Sequence, residues 1–243
     1  MELAGRNALI TGGARRVGRA LALALAGAGA NVFIHYRRSA ESAEQTAAEA
    51  RALGPLAACG SADLGDPSST HALLAQARAE LGSISVLVNS ASGFSADTLT
   101  DVTLAGFRSA LDLTLTAPVM LTQAFAAALP YSFDGAVLNI TDARTRTPYR
   151  NHFSYVVAKG ALDAFTRTAA VQLAPRIRVN AVALGVILPP PGADATYAER
   201  LAVELPLERV GGTGPVAAAA IALLTNDFVT GEIVRVDGGG HLI

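Results

Sequence analysis

Short apolar runs alternate with longer stretches of helical periodicity along the whole chain. Ala8 to Ile10, Asn31 to Tyr36, Leu56 to Ala62, Ser85 to Val88, Ala136 to Ile140, Ile177 to Val182 and Gly231 to Asp237 read as seven strands. Between them, Ala20 to Ala26, Ser39 to Leu53, Pro67 to Leu81, Leu104 to Leu129, His152 to Leu173 and Thr213 to Leu224 read as helices. Ser39 is placed to cap its helix, Pro67 stands near the start of the next, and Pro118 inside Leu104 to Leu129 predicts a kink or irregular turn. Regular strand-helix alternation favours a parallel sheet with right-handed crossovers, helices covering both faces. One stretch breaks the pattern. The proline run in Leu188 to Ala193 cannot join a sheet, so it predicts either a rigid connector or the entry to a substrate-covering loop over about residues 186–212, with a short helix from about Asp194 to Val203.

No linker or internal repeat divides the 243 residues, so a single domain over 1–243 is expected. With 51% hydrophobic and 16% charged residues there is ample material for a core. The balance of 19 basic against 20 acidic residues supplies no net field for nucleic acid or an anionic membrane. Cys59 is the only cysteine, which excludes an intrachain disulfide and agrees with a reducing compartment. The first residues lack the basic and apolar regions of a signal peptide, and the apolar stretch Ala20 to Ala30 reads as a packed helix, so a cytoplasmic location is expected. No metal site is expected.

Candidate chemistry begins where the first strand ends. Thr11-Gly-Gly-Ala-Arg-Arg-Val-Gly18 joins strand to helix, an arrangement that aims backbone N–H groups and the helix dipole at a phosphate. Gly12 and Gly18 would admit a close approach of backbone to a dinucleotide pyrophosphate. The second strand ends in Arg37-Arg38-Ser39 without the acidic residue that reads a ribose 2′-hydroxyl, and with Arg15 and Arg16 these cations suit a 2′-phosphate, hence NADP(H). Asp63, past a strand end, is able to accept from an adenine amino group or to cap the following turn. The small residues of Asn89-Ser90-Ala91-Ser92-Gly93 would let a cofactor lie across the fourth strand end. Phe94, next in the chain, reads first as a core anchor and second as an aromatic plate for a flat ligand.

The chemistry itself is placed on Thr141 to Lys159. Tyr155 and Lys159 are four residues apart on a helix and therefore neighbours on one face. A lysine beside a phenol favours phenolate and would lower the tyrosine pKa, making it a usable proton donor.

In order and spacing, the glycine turn, Asp63-Leu64, Asn89 to Ser92, Tyr155-Val-Val-Ala-Lys159, Arg178-Val-Asn-Ala181 and Gly231-Glu to Asp237-Gly-Gly239 together resemble the short-chain dehydrogenase/reductase family over essentially the whole chain. The resemblance implies a single Rossmann domain with a doubly wound, seven-stranded parallel sheet, assembled as a homotetramer acting on a small molecule. It places the cofactor against Gly12, Arg16, Val17, Gly18, Tyr36, Arg37, Arg38, Ser39, Asp63, Leu64, Ser90, Ala91, Ser92, Tyr155, Lys159 and, after the sixth strand, Gly185, Val186 and Ile187. Four departures stand out. The family's catalytic serine, thirteen positions before the tyrosine, is Asp142 here (155 − 13 = 142); its Asn-Asn-Ala-Gly turn is Asn89-Ser-Ala-Ser-Gly-Phe94; its Pro-Gly is Leu184-Gly185; its helix asparagine matches Thr114.

Asp142, the arginines of the glycine turn, His35-Tyr-Arg-Arg-Ser39 and Ser92 followed by Phe94 resemble the pteridine reductase branch, with its dihydromonapterin- and dihydrofolate-reducing members. That resemblance implies a pterin sandwiched between Phe94 and the nicotinamide, contacted by Arg16 and Ser92, with Asp142 and Tyr155 handling the proton and Lys159 holding the nicotinamide ribose. A carboxylate is able to pair with the amino and ring N–H edge of a pterin, which a hydroxyl does less well. Two alternatives remain open: a carbonyl reductase for a ketone, sugar or 3-oxoacyl thioester, in which Arg144, Arg146 and Arg150 select an anionic substrate, and a non-catalytic NADP-binding sensor or scaffold.

Overall fold

In the computed structural model, which describes residues 1–66, 68–190, 192 and 195–243, the seven strands form one parallel sheet. They are β1 (Asn7–Ile10), β2 (Asn31–Tyr36), β3 (Ala57–Ser61), β4 (Val86–Asn89), β5 (Gly135–Asp142), β6 (Ile177–Leu184) and β7 (Ile233–Val236), ordered β3-β2-β1-β4-β5-β6-β7. Alternate residues of each strand face opposite layers. Ala8, Ile10, Val32, Ile34, Val88 and Leu138 pack against α1 (Arg16–Gly27), α2 (Ala40–Ala52) and α8 (Thr213–Thr225). Leu9, Phe33, Leu87, Val137 and Val179 pack against α3 (Ser69–Leu81), α5 (Ala117–Ala128) and α6 (Phe153–Leu173). Because β1 lies between β2 and β4, the chain reverses its direction of winding there, and a crevice opens beyond the ends of β1 and β4.

Most expected elements are present, and the differences have local causes. The Ser39 side chain caps nothing; Ser42, one turn later, accepts from Arg15 Nε at 2.9 Å and ties α2 to the glycine turn. The irregularity in Leu104 to Leu129 lies ahead of Pro118. α4 (Leu104–Leu111) passes through a π turn at Asp112–Thr116 into α5, where Pro118 occupies the first turn and needs no hydrogen-bond partner for its nitrogen. Thr114 is buried within that turn. Leu104–Ala128 is long and apolar enough to cross a bilayer, but the π turn interrupts it and Ala117, Leu121 and Phe125 are buried in the core. Pro67, Pro191, Ala193 and Asp194 lie outside the described residues; α7 spans Ala195–Ala202.

β5 and β6 run two residues beyond their apolar patterns, pairing Thr141 with Ala183 and Asp142 with Leu184. Thr141 and Asp142 are therefore strand residues, buried and polar at once. Behind them, Asn89 Nδ2 donates to Asn139 Oδ1 and Asn139 Nδ2 to Thr166 Oγ1, both at 2.9 Å, which joins β4, β5 and α6 through the interior. The Arg178 and Asn180 motif also braces the frame: Arg178 donates to the Leu223 and Leu224 carbonyls at the end of α8, and Asn180 holds the turn before β7 through Val229 and Glu232. The excursion after β6 is closed at its base, where Gly211 and Gly212 donate to the carbonyls of Val186 and Ile187.

Candidate active site

A cleft of about 530 Å³ opens at the reversal point. Its near wall is the glycine turn. A Cβ on Gly18 would lie 2.1 Å from the Gly12 carbonyl oxygen, and one on Gly12, at φ +63°, would lie 3.0 Å from Ala91 Cα, so the turn is tight against itself and the end of β4 before any ligand is considered. Thr11 Oγ1 accepts from the backbone N–H of Ser90 and Ala91 at 2.9 and 3.0 Å, locking the ends of β1 and β4 together.

His35 closes the cleft from β2. Its Nδ1 accepts from Gly12 N at 3.1 Å and its Nε2 lies 3.0 Å from the Ala62 carbonyl, which assigns a neutral ring protonated on Nε2. Burial holds its pKa below the ordinary 6.5, against the Ala62 carbonyl and Asp63, which favour the cation. Between the folded and unfolded values only the unfolded chain takes up the proton. This contribution to stability is therefore complete above about pH 6.5 and lost as pH falls through the folded value. The melting temperature of His35→Gln, whose amide is able to make both bonds, is expected to change less than that of the native protein between about pH 7.5 and 5. Equal slopes would remove His35 from the account.

At the far end, Tyr155 Oη donates to Asp142 Oδ2 at 2.7 Å, and Asp142 Oδ1 accepts from Arg144 N at 2.8 Å. Lys159 Nζ donates to the Ile140 carbonyl at 2.6 Å and lies 5.7 Å from the centre of the Tyr155 ring. Lys159 is 3% and Asp142 6% exposed. The expected lowering of the tyrosine pKa is overturned: burial and the adjacent Asp142 carboxylate push Tyr155 well above its ordinary value. Burial likewise raises Asp142, against its hydrogen bonds from Tyr155 and Arg144 N, and brings Lys159 down to about 8. The site thus holds its phenol as an acid, beside a carboxyl that retains its proton more readily than an exposed one.

Phe94 is 46% exposed and so is no core anchor. Its ring stacks on His152 at 3.8 Å between centroids and meets Tyr155 edge-on at 4.9 Å and Tyr149 at 5.9 Å, an aromatic rim around the phenol. His152, in the left-handed region at φ 62°, precedes α6 and bonds the Ser95 carbonyl through Nδ1 at 2.8 Å. The first turn of α6 is capped from a distance: Asp97 accepts from Ser154 N at 3.0 Å and from Ser154 Oγ. Phe94 and Tyr155 are thereby held in one unit.

Of the expected cofactor residues, Gly12, Arg16, Val17 and Gly18 line the cleft from the turn and Arg37 and Leu64 from the ends of β2 and β3. Ser90, Ala91 and Ser92 line it from β4, and Tyr155 and Lys159 from α6. Tyr36, Arg38, Ser39 and Asp63 stand outside its lining, although Asp63 pairs with Arg37 at 2.7 Å and accepts from Gly65 N. Val186 and Ile187 line a separate cavity of about 410 Å³, while Gly185 packs on Asp237, where a Cβ would lie 2.4 Å from its Cα. Arg16, at φ 55°, donates from Nη2 to the Pro189 carbonyl at 2.8 Å and bridges the cleft to the excursion after β6. Arg146 and Arg150 are exposed, and Arg144 lies 5.6 Å over the Tyr149 ring.

Sequence reasoning missed His35 and Thr141 as cleft residues. The sequence itself sets Lys159 apart as the only lysine among the 19 basic residues.

A doubly wound parallel sheet, a glycine turn at its reversal point and a buried tyrosine-lysine pair facing that turn define a single-domain α/β oxidoreductase of the dinucleotide-binding type. The chain belongs to the short-chain dehydrogenase/reductase family, and a family profile described as enoyl-(acyl carrier protein) reductase matches residues 12–241. It is 37% identical, over 96% of its length and 90% of the relative's, to an uncharacterized oxidoreductase of Mycobacterium tuberculosis (strain CDC 1551 / Oshkosh). It is 33% identical, over 98% and 97% of the two chains, to the 3-oxoacyl-[acyl-carrier-protein] reductase of Synechocystis. Among solved structures, FolM alternative dihydrofolate reductase 1 from Brucella canis, complexed with NADP, superimposes with a TM-score of 0.93 at 37% identity, covering 100% of this chain and 97% of that one. The Brucella suis counterpart, also with NADP, gives 0.91 at 37% identity over 98% and 96%.

Proposed function

We propose that this protein is an NADPH-dependent reductase of a pterin or dihydropteridine C=N bond. The observation that carries this reading is the Tyr155–Asp142 hydrogen bond, in which a buried carboxyl stands in the family's serine position beside the Phe94 rim. The 37% identity to the two dihydrofolate reductases of Brucella, over nearly whole chains, supports it.

The cleft fits the cofactor. It runs from arginines of the glycine turn and Arg37 at one end to Tyr155 and Lys159 at the other, and Asp63, the carboxylate beside the arginine end, is paired with Arg37. Gly12, Arg16, Val17 and Gly18 would hold the pyrophosphate, and Tyr36, Arg37, Arg38 and Ser39 the 2′-phosphate. Asp63 and Leu64 would flank the adenine; Ser90, Ala91, Ser92 and Gly185 to Ile187 the nicotinamide half; Lys159 its ribose. NADPH, when bound, supplies the hydride. Phe94, Ser92 and Arg16 would position the flat substrate, and Tyr155 would pass its proton to the reduced nitrogen. Asp142, whose pKa burial raises, would orient the substrate's amino edge and relay a proton to Tyr155. The excursion over 186–212, closed at its base and latched by Arg16, would cover the substrate. A homotetramer in the cytoplasm completes the reading.

The experiment compares NADPH and NADH oxidation in the presence of 7,8-dihydropterins, ketones and a 3-oxoacyl thioester. Turnover of the pterins with NADPH preferred by about tenfold or more is expected. A second reading, 3-oxoacyl thioester reduction, is favoured by the likeness to the Synechocystis reductase, and turnover confined to carbonyl substrates would establish it in place of the first.

A further inference from the structure

A buried carboxylate outside the cleft lining, Asp163, lies behind the Tyr155–Asp142 pair. Asp163 follows Lys159 by one turn of α6, and its two oxygens take bonds from both sides of Asp142 in sequence. Oδ1 accepts from Thr141 Oγ1 at 2.6 Å and Oδ2 from Thr145 Oγ1 at 2.8 Å. Two hydroxyl donors on two oxygens describe an ionised carboxylate. Thr141 also contacts the Lys159 carbonyl at 3.4 Å, and the segment it begins ends in the turn Ala143–Thr145 that supplies Arg144 N to Asp142. Among the described residues Asp163 makes no ion pair within 4 Å, so its charge acts on the nearest buried cation, Lys159.

We propose that Asp163 is a positioning residue for the reduction: it fixes Thr141 to Thr145 so that Asp142 faces Tyr155, and its negative charge keeps Lys159 an ammonium ion inside the protein. This rests on the reading of Tyr155, Asp142 and Lys159 as the reacting end of the cleft. Besides Asp163, the groups acting on that end are Tyr155 on α6, Asp142 on β5, and Arg144 and Tyr149 after β5, while Arg15 and Arg16 line the cleft from the glycine turn. Burial drives Lys159 toward the neutral amine, and only Asp142 and Asp163 oppose it.

Because Lys159 is the only lysine, protein grown on lysine labelled with ¹³C at Cε gives one side-chain resonance, whose titration reads this ammonium directly. In the native chain the midpoint is expected at about 8. In Asp163→Asn it is expected about one pH unit lower, with kcat for dihydropterin reduced about ten- to hundredfold and NADPH affinity, read by fluorescence, within about twofold. Thr145→Val keeps the carboxylate and cuts one of its bonds, so kcat is expected to fall several-fold with the midpoint unmoved. An unmoved midpoint in Asp163→Asn overturns the charge role, and native kcat in Thr145→Val overturns the positioning role even where Asp163→Asn fails to fold. A native protein that reduces no pterin would refute the proposed substrate alone, since the lysine titration needs no substrate.

Discussion

Tyr155→Phe is expected to lower kcat for dihydropterin reduction about 10²–10⁴-fold, the range in which a positioned general acid contributes. That corresponds to roughly 3–5.5 kcal/mol of transition-state stabilisation. The substitution keeps the ring that meets Phe94 edge-on at 4.9 Å and removes only the hydroxyl that donates to Asp142. NADPH affinity should stay within about twofold of native, because Lys159, bonded to the Ile140 carbonyl, does not depend on the phenol for its position. Single-turnover rates with saturating NADPH, together with a fluorescence titration of NADPH binding, separate the two effects. Turnover within about threefold of native would show that Tyr155 is not the proton source.

Asp142→Asn carries the second large effect. The amide keeps the shape of the carboxyl but has no proton to return to Tyr155, and kcat/KM for the pterin is expected to fall about 10²-fold. The pH profile gives the sharper reading. Burial raises the Asp142 pKa, so its protonated form is full below that raised value and declines as pH rises through it. Lys159 loses its charge as pH rises through about 8. The native rate should therefore respond to both titrations as pH rises, and that of Asp142→Asn to the Lys159 titration alone. An Asp142→Ser variant, restoring the residue type that the family resemblance places there, should lose pterin turnover and retain reduction of simple carbonyl compounds. A native-like pterin rate in either variant would place the proton relay elsewhere.

Much of the fold was legible because the central strands β1, β4 and β5 are largely apolar and buried, and helices such as α1 and α2 bury a periodic stripe. Ala43, Ala47 and Ala50 mark the inner face of α2 as plainly in the sequence as in the packed layer. The ends of elements were less legible where polar residues continue a strand. Thr141 and Asp142 look like the start of a loop, yet pairing with Ala183 and Leu184 carries them to the floor of the cleft. The π turn ahead of Pro118 was invisible for a related reason: the sequence marks a proline that cannot donate, not the residue at which the helix widens to admit it.

The sequence by itself determined the chemistry available to this protein: a tyrosine and a lysine one helical turn apart, an aspartate thirteen residues upstream, a glycine turn, and arginines with no acidic residue at the end of the second strand. Spacing on a helix is local, so it can be read from a chain alone. Protonation states could not be. Only the tertiary structure decided that Tyr155 is an acid whose pKa is raised, because burial and the Asp142 carboxylate outweigh a lysine that bonds a carbonyl instead. Likewise, contacts across β2, β5 and α6, far apart in sequence, brought His35 to Gly12 and Asp163 to Thr141 and Thr145. Desolvation and long-range hydrogen bonding are properties of the packed interior, and they set what the residues named by the sequence are able to do.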